Sequence, residues 1–281
     1  MNTTQKVIKY LAIAFGIFLS VTIISSVIFG VACFLNILDN NKSIEYNDSN
    51  VKISDKHYEK EFGIDEIRNL SIELNISKLY IVKGNQLGIK ADNIYEGFSA
   101  DVQNGELIIS EDINLDKKLF KSNRTSIVTL YIPEKFEFDS VTIKSGVGDI
   151  NIEELNSKKI DATFGVGDFN AQNINSENTV FKGGVGDLNI SNSDLGKIEY
   201  KAGIGDSDIE CKLSDNSKIE SGVGNITLKL LGSEESYYFD VEAGMGDITL
   251  NDNKIKNGNF GDKEAKEVKI KGGIGNIKIN Y

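Results

Sequence analysis

Across 281 residues the chain carries 42 acidic against 31 basic side chains, a formal net charge of −11, with 40% hydrophobic content, one proline and no tryptophan. That balance argues against nucleic acid or an anionic surface as the partner of its body. Two cysteines (Cys33, Cys211), one histidine (His57) and two arginines (Arg68, Arg124) give no disulfide framework, no metal cluster and no Ser/His/Asp or Cys/His set, so the chain reads as a non-enzyme without a cofactor.

The first 38 residues hold Lys6 and Lys9 and no acid, and residues 10–38 hold no charge at all. Residues 10–35 alone would reach about 39 Å as a helix, more than the ~30 Å of bilayer hydrocarbon. The expectation is a single transmembrane helix, N-terminus cytoplasmic by the positive-inside rule and everything after it extracytoplasmic. A cleaved signal peptide is the rival reading, but its apolar core usually runs only ~7–15 residues. Either way the remainder is exported. Residues 39–61 are polar, rich in Asn, Ser, Asp and Lys, and predict a flexible stalk, with His57 an exposed bystander.

Residues 62–281 predict an all-β ectodomain. Alternating apolar positions in Leu70, Ile72, Leu74 and Ile76, then Leu79 and Ile81, Leu107 and Ile109, and Val128, Leu130 and Ile132 mark strands over 62–140. Their irregular spacing suits the capping end of a repeat array, whose terminal units are commonly atypical.

From residue 141 one phrase returns seven times. It begins at Gly146-Val147-Gly148-Asp149 and recurs at Gly165-Val166-Gly167-Asp168, Gly184-Val185-Gly186-Asp187 and Gly203-Ile204-Gly205-Asp206. Gly222-Val223-Gly224-Asn225, Gly244-Met245-Gly246-Asp247 and Gly273-Ile274-Gly275-Asn276 complete the set. The first five lie 19 residues apart, and the last two steps are 22 and 29. A fixed period near 20 is the signature of a solenoid whose coils bury their apolar face only by stacking. Before each phrase the inward set alternates with polar residues (Ile143 and Ser145, Phe181 and Gly183, Tyr200 and Ala202), pairing large with small as a close-packed interior requires. After it the phase slips by one, to Ile150 and Ile152 or Leu188 and Ile190, so the chain turns a corner there. The residue between the glycines is expected to continue the inward set. On that reading, Val185→Asp would unfold neighbouring coils cooperatively.

Each glycine pair is therefore predicted to be a structural corner, with Asp or Asn bonding to its own backbone two residues on. Asp149, Asp168, Asp187, Asp206 and Asp247 would also line up as a carboxylate ladder open to calcium, although Asn225 and Asn276 in the same slot favour hydrogen bonding over a metal. The calcium-binding nonapeptide repeat has its aspartate one position later and a period of nine, and does not match. Asn151, Asn170, Asn189, Asp208, Thr227 and Thr249, five residues past each first glycine, predict an inter-coil ladder at ~4.8 Å spacing. Insertions at 231–238 and 251–267 interrupt the last coils. The second is expected to fold over the final coil, which would otherwise end on an open edge at Tyr281.

An apolar N-terminal segment, early strands, the strand end Leu130-Tyr131-Ile132-Pro133 and the run Val141-Thr142-Ile143-Lys144-Ser145-Gly146-Val147-Gly148-Asp149-Ile150 together make a familiar layout. Over residues 60–281 it resembles a bacterial β-strand-repeat family of unknown function that carries a provisional adhesin label. The resemblance implies a β-helix-like solenoid at the cell envelope without known catalytic residues. Some relatives look like membrane-anchored components of envelope-stress systems. The expected function is thus a non-catalytic surface scaffold that binds a protein or envelope polymer; the alternative is an accessory regulator or sensor of envelope stress.

Overall fold

Most strands among the described residues owe their place to a parallel partner one coil away, and the short strands at the two ends of the stack pair antiparallel. The structure is a computed structural model that describes residues 57–94, 97–111, 125–214, 216–232 and 237–281. The expected membrane helix and most of the expected stalk lie outside the described residues. Among the described residues there is no helix, and 23 strands join in one hydrogen-bonded sheet.

The register is set by the 19-residue period. Leu155–Val166 pairs in parallel with Ile174–Val185 on one side and Glu137–Val147 on the other, so that Ile143, Ala162, Phe181, Tyr200 and Ile219 form a single inward column. Beyond the corner, Ile150, Phe169, Leu188, Ser207 and Ile226 form a second. Burial shows three walls per coil. In one coil, Ile174 and Ser176 point inward on the first wall, Thr179 and Phe181 on the second, and Leu188 and Ile190 on the third, with outward pairs marking the bends. Packing is adjusted locally: where Tyr200 enters the second wall, Ser207 takes the facing core position and the two hydroxyls bond at 2.8 Å.

Three features depart from the sequence reading. First, the coils do not stack in chain order at either end. The C-terminal strands Lys266–Lys271 and Ile277–Asn280 insert between the coil of Ser217–Glu220 and Ile226–Leu230 and the coil of Tyr237–Glu242 and Ile248–Leu250. Tyr281 therefore does not end on an open edge. The 251–267 insertion does cover an outermost coil, but that coil is the one built on Gly244, through the antiparallel strands Asn253–Ile255 and Gly258–Gly261. At the opposite end Asn69–Leu74 and Ser77–Gly84 likewise lie between Glu137–Ile152 and the pair Glu106–Glu111 and Ser126–Pro133.

Second, the ladder starts inside the expected stalk: Tyr58–Glu61 pairs antiparallel with Gly88–Asp92. Third, the residue between the glycines points outward. Val147, Val166, Val185, Ile204, Val223, Ile274 and Met245 are between 39% and 62% exposed. The in–out alternation slips at the first glycine, ahead of the bend that the left-handed second glycine makes, and this puts the intervening side chain on the outside. Val185→Asp is consequently expected to act locally, not to unfold its neighbours.

Candidate functional site

The outside of the corner between the second and third walls carries three parallel columns, each built by the repeat. The glycines make the corner possible for two different reasons. At the second glycine the backbone is left-handed (φ 138° at Gly167, 142° at Gly186), a region that favours glycine. At the first the conformation is ordinary and the demand is space: a Cβ on Gly184 would lie 2.8 Å from the carbonyl carbon of Gly165 in the coil below, and closer to its oxygen. Backbone bonds then cross from coil to coil, Gly167 N–H to Val185 O and Gly186 N–H to Ile204 O at 2.9 Å each. All seven phrases line up in one column, in the spatial order Gly146, Gly165, Gly184, Gly203, Gly222, Gly273 and Gly244. The partner glycines Gly148, Gly167, Gly186, Gly205, Gly224, Gly275 and Gly246 follow the same order.

The aspartate column is likewise brought together, but its bonds differ from expectation. The side-chain oxygen accepts from the next coil, not from its own backbone. Asp168 N–H donates to Asp149 Oδ1 (3.3 Å), Asp187 N–H to Asp168 (3.0 Å), Asp206 N–H to Asp187 (2.8 Å) and Asn225 N–H to Asp206 (2.7 Å). Asn276 N–H then donates to Asn225 Oδ1 (3.0 Å), and Asp247 N–H to Asn276 Oδ1 (2.9 Å). An amide oxygen serves this bond as well as a carboxylate, which explains Asn in two of seven slots. Lys78 at 2.7 Å and the Asp168 amide hold the Asp149 carboxyl below its usual range. Among the described residues no group of three or more His, Cys, Asp or Glu is arranged to hold a metal ion.

An eighth corner carries no glycine and escaped the sequence reading. Asn75-Ile76-Ser77-Lys78 stacks on Gly146-Val147-Gly148-Asp149, and Val147 N–H donates to Asn75 O at 2.8 Å. The buried Glu111 closes this end of the column: its carboxylate accepts from Asn75 N–H (2.9 Å), Ile76 N–H (3.2 Å) and the Ser77 hydroxyl. At the far end Asn257 Oδ1 accepts from Ala243 N–H at 3.0 Å.

On the third wall, Tyr80, Asn151, Asn170, Asn189, Asp208 and Thr227 form one outward column. Asn170 Nδ2 donates to Asn151 Oδ1 (3.3 Å) and Asn189 Nδ2 to Asn170 Oδ1 (2.9 Å). Two shallow depressions of about 350 and 320 Å³ lie along it and meet at Asn189. A second amide ladder, also missed, turns the next bend: Asn173 and Asn192 are left-handed (φ 53° and 47°), and Asn192 Nδ2 donates to Asn173 Oδ1 at 2.6 Å. Asparagine tolerates that region better than most side chains, and a 19-residue spacing of Asn at strand ends was the available signal.

Fold and surface thus define an all-β wall protein of the solenoid-like kind, with open troughs and columns along its described sides. The chain belongs to the Toastrack family DUF4097, whose model matches residues 40–279. It is similar to a solved structure of a proposed cell adhesion protein from Clostridium sporogenes at 22% identity, covering 80% of this chain and 98% of that one with a TM-score of 0.37. A proposed adhesin from Bacteroides fragilis (16% identity, 80% and 98% covered, TM-score 0.43) is also similar. So is a proposed lipid-binding protein from Parabacteroides distasonis (14% identity, 79% and 96% covered, TM-score 0.43). No curated protein matches the chain.

Proposed function

We propose that the chain is a membrane-anchored, extracytoplasmic binding scaffold of the cell envelope, held by a helix over residues 10–35 and working without catalysis. The observation that carries this reading is the trough on the third wall. It presents hydrogen-bonding side chains at a fixed ~4.8 Å interval, with Tyr80 at one end offering an aromatic face. Such a surface suits an extended polar partner, protein or envelope polymer, that lies along several coils. A column of amide, carboxylate and hydroxyl side chains contacts such a partner repeatedly at small energy per contact, and affinity accumulates with length.

The calcium alternative is disfavoured by the corner bonds, since the Oδ1 atoms of Asp149, Asp168, Asp187 and Asp206 already accept a backbone amide. The test is retention of isolated envelope polysaccharide and envelope protein fractions on the purified, detergent-solubilised full chain. Asn170→Lys with Asn189→Lys should abolish retention while leaving circular dichroism unchanged. Equal retention by the variant would refute the trough as the binding surface.

A further inference from the structure

The apolar ridge at the corner has no part in the trough, and a well-solvated wall has no need of it. In spatial order it runs Val147, Val166, Val185, Ile204, Val223, Ile274 and Met245, joined by direct parallel bridges. Six ladder steps of ~4.8 Å make it roughly 29 Å long. Stacking within the column accounts for β-branched side chains, but threonine would satisfy that preference and stay wetted. Threonine does stand in other outward columns, as Thr163, Thr227 and Thr249, yet in none of the seven ridge positions. The exposed fractions amount to about 600 Å² of residue surface with the backbone counted, at the upper end of the ~300–600 Å² that the largest patch of a monomer reaches and that is often functional.

The flanking columns select what covers it. On the second-wall side, three residues before each ridge position, stand Lys144, Thr163, Lys182, Lys201, Glu220, Lys271 and Glu242 in spatial order. On the third-wall side stand Asp149, Asp168, Asp187, Asp206, Asn225, Asn276 and Asp247. A ridge with four lysines and two glutamates on one flank and five aspartates on the other matches itself better in one orientation than in the other. When two copies meet ridge to ridge about a two-fold axis parallel to the coil stack, the lysine flank of each faces the aspartate flank of the other. Lys144, Lys182 and Lys201 then lie level with the partner's aspartates in the same coil, while Glu242 opposite Asp247 is the single like-charged level. Turning one copy end for end opposes Lys201 and Asp206 to their own twins and Asp149 to Asp247, which cancels the two matches that orientation makes, Lys144 with Glu242 and Lys182 with Glu220. A membrane surface would have to accept the same carboxylates against its headgroups.

We propose that this ridge is a homodimer seam, joining two copies of the chain in parallel, Val147 against Val147 through Met245 against Met245. The ridge and its charged flanks together approach the ~800 Å² per partner of a standard interface. The parallel arrangement also puts both copies of Tyr58–Glu61 at the same end, as the membrane anchoring proposed above would require. This inference does not rest on the trough, which begins two residues beyond the aspartate flank and uses none of the ridge residues, so either proposal can fail without the other.

The experiment is cysteine cross-linking of the full chain in membranes, in a Cys33→Ala background with the buried Cys211 left in place. Val147→Cys, Val185→Cys and Met245→Cys should each give a covalent dimer with a short bismaleimide. A differently tagged mixture of Val147→Cys and Met245→Cys should give no heterodimer, and Thr227→Cys on the trough should give no dimer. Heterodimers between the two ends, or no dimer from any ridge position, would overturn the seam. In sedimentation of the detergent-solubilised chain, Val166→Asp with Val185→Asp should raise the dimer dissociation midpoint more than tenfold with unchanged circular dichroism. A folded variant that dimerises like the parent would equally overturn it.

Discussion

Gly184→Ala tests the inter-coil packing at its tightest point. The backbone at Gly184 is not left-handed, so a methyl group there carries no conformational penalty; at an open site of that kind Gly→Ala raises stability by about 0.4–1 kcal/mol through the unfolded chain. Here the methyl would sit 2.8 Å from the carbonyl carbon and 3.0 Å from the Cα of Gly165, both backbone atoms that cannot swing aside. Restoring contact distance means parting the two coils by roughly an ångström at the corner. The bonds exposed to that shift are Gly167 N–H to Val185 O (2.9 Å) and Asp187 N–H to Asp168 Oδ1 (3.0 Å). At ~0.5–1.5 kcal/mol each, with lost packing added, the cost is about 2–4 kcal/mol. Urea unfolding of the full chain in mild detergent, followed by far-ultraviolet circular dichroism, reads this as a midpoint lowered by about 1 M, taking a slope of ~2–3 kcal/mol/M. Gly63→Ala, where a Cβ meets nothing within 4 Å, is the control and should be neutral or slightly stabilising. If Gly184→Ala behaves like the control, the coils do not touch at the corner and the stacking argument fails.

Other expectations follow from the same geometry. Asp187→Asn keeps the oxygen that accepts Asp206 N–H and should change stability by less than about 0.5 kcal/mol, whereas Asp187→Ala should cost ~1 kcal/mol in the same urea assay; equal effects would remove the hydrogen-bonding role. Because the Asp149 carboxyl is held below its ordinary value, first by Lys78 and then by the Asp168 amide, its contribution is present above the unfolded carboxylate pKa and fades as pH falls through the folded one. Lys78→Met should therefore flatten the loss of thermal stability below about pH 4, where model aspartate titrates, and an unchanged acid limb would contradict the pairing. Burial pushes the Cys211 thiol far up, and the side chain is fully covered, so iodoacetamide should leave it unlabelled at mildly alkaline pH until urea is added. Labelling of the native chain, read by mass spectrometry of the Cys211 peptide, would mean that coil opens readily.

The repeat period was legible because glycine is irreplaceable at the corner: the contact at Gly184 and the left-handed turn at Gly186 each forbid a side chain, so the phrase survives in every regular coil. Inward columns were legible for the related reason that summed volumes must match across a coil, as Ala162 with Phe164 and Phe181 with Gly183 do. The ridge was misread because Ser145 and Ile150, both inward, are an odd number of residues apart; one phase slip must lie between them, and alternation does not say on which side of Val147. The Asn75–Lys78 corner was invisible for want of glycine: what meets it from the outer coil is the Glu111 carboxylate, not another Gly-x-Gly corner. Spacing, finally, gives the length of a connection but not its neighbour. The 22- and 29-residue steps show that something intervenes between the last phrases, yet not that the Gly273 coil lies inside the Gly244 coil.

That displaced order has a physical logic common to both ends. A solenoid stacked strictly in chain order would finish at each end on a full-length parallel strand with its backbone groups unpaired, a template for end-to-end growth. Covering such a strand with another parallel one demands a whole further coil, whereas an antiparallel return needs only a short turn. Tucking the terminal coil inward leaves the outermost coil with a chain continuation at hand that can fold back as a hairpin. At the C-terminal end this is Asn253–Ile255 and Gly258–Gly261, three and four residues long. At the N-terminal end it is Phe98–Gln103, with Gly88–Asp92 backed by the charged Tyr58–Glu61. The edges that remain are short or charged, and growth along the stack is blocked. What stays open to association is the side of the stack, where the ridge and the trough lie, so a second chain can meet this one along its length but not extend it.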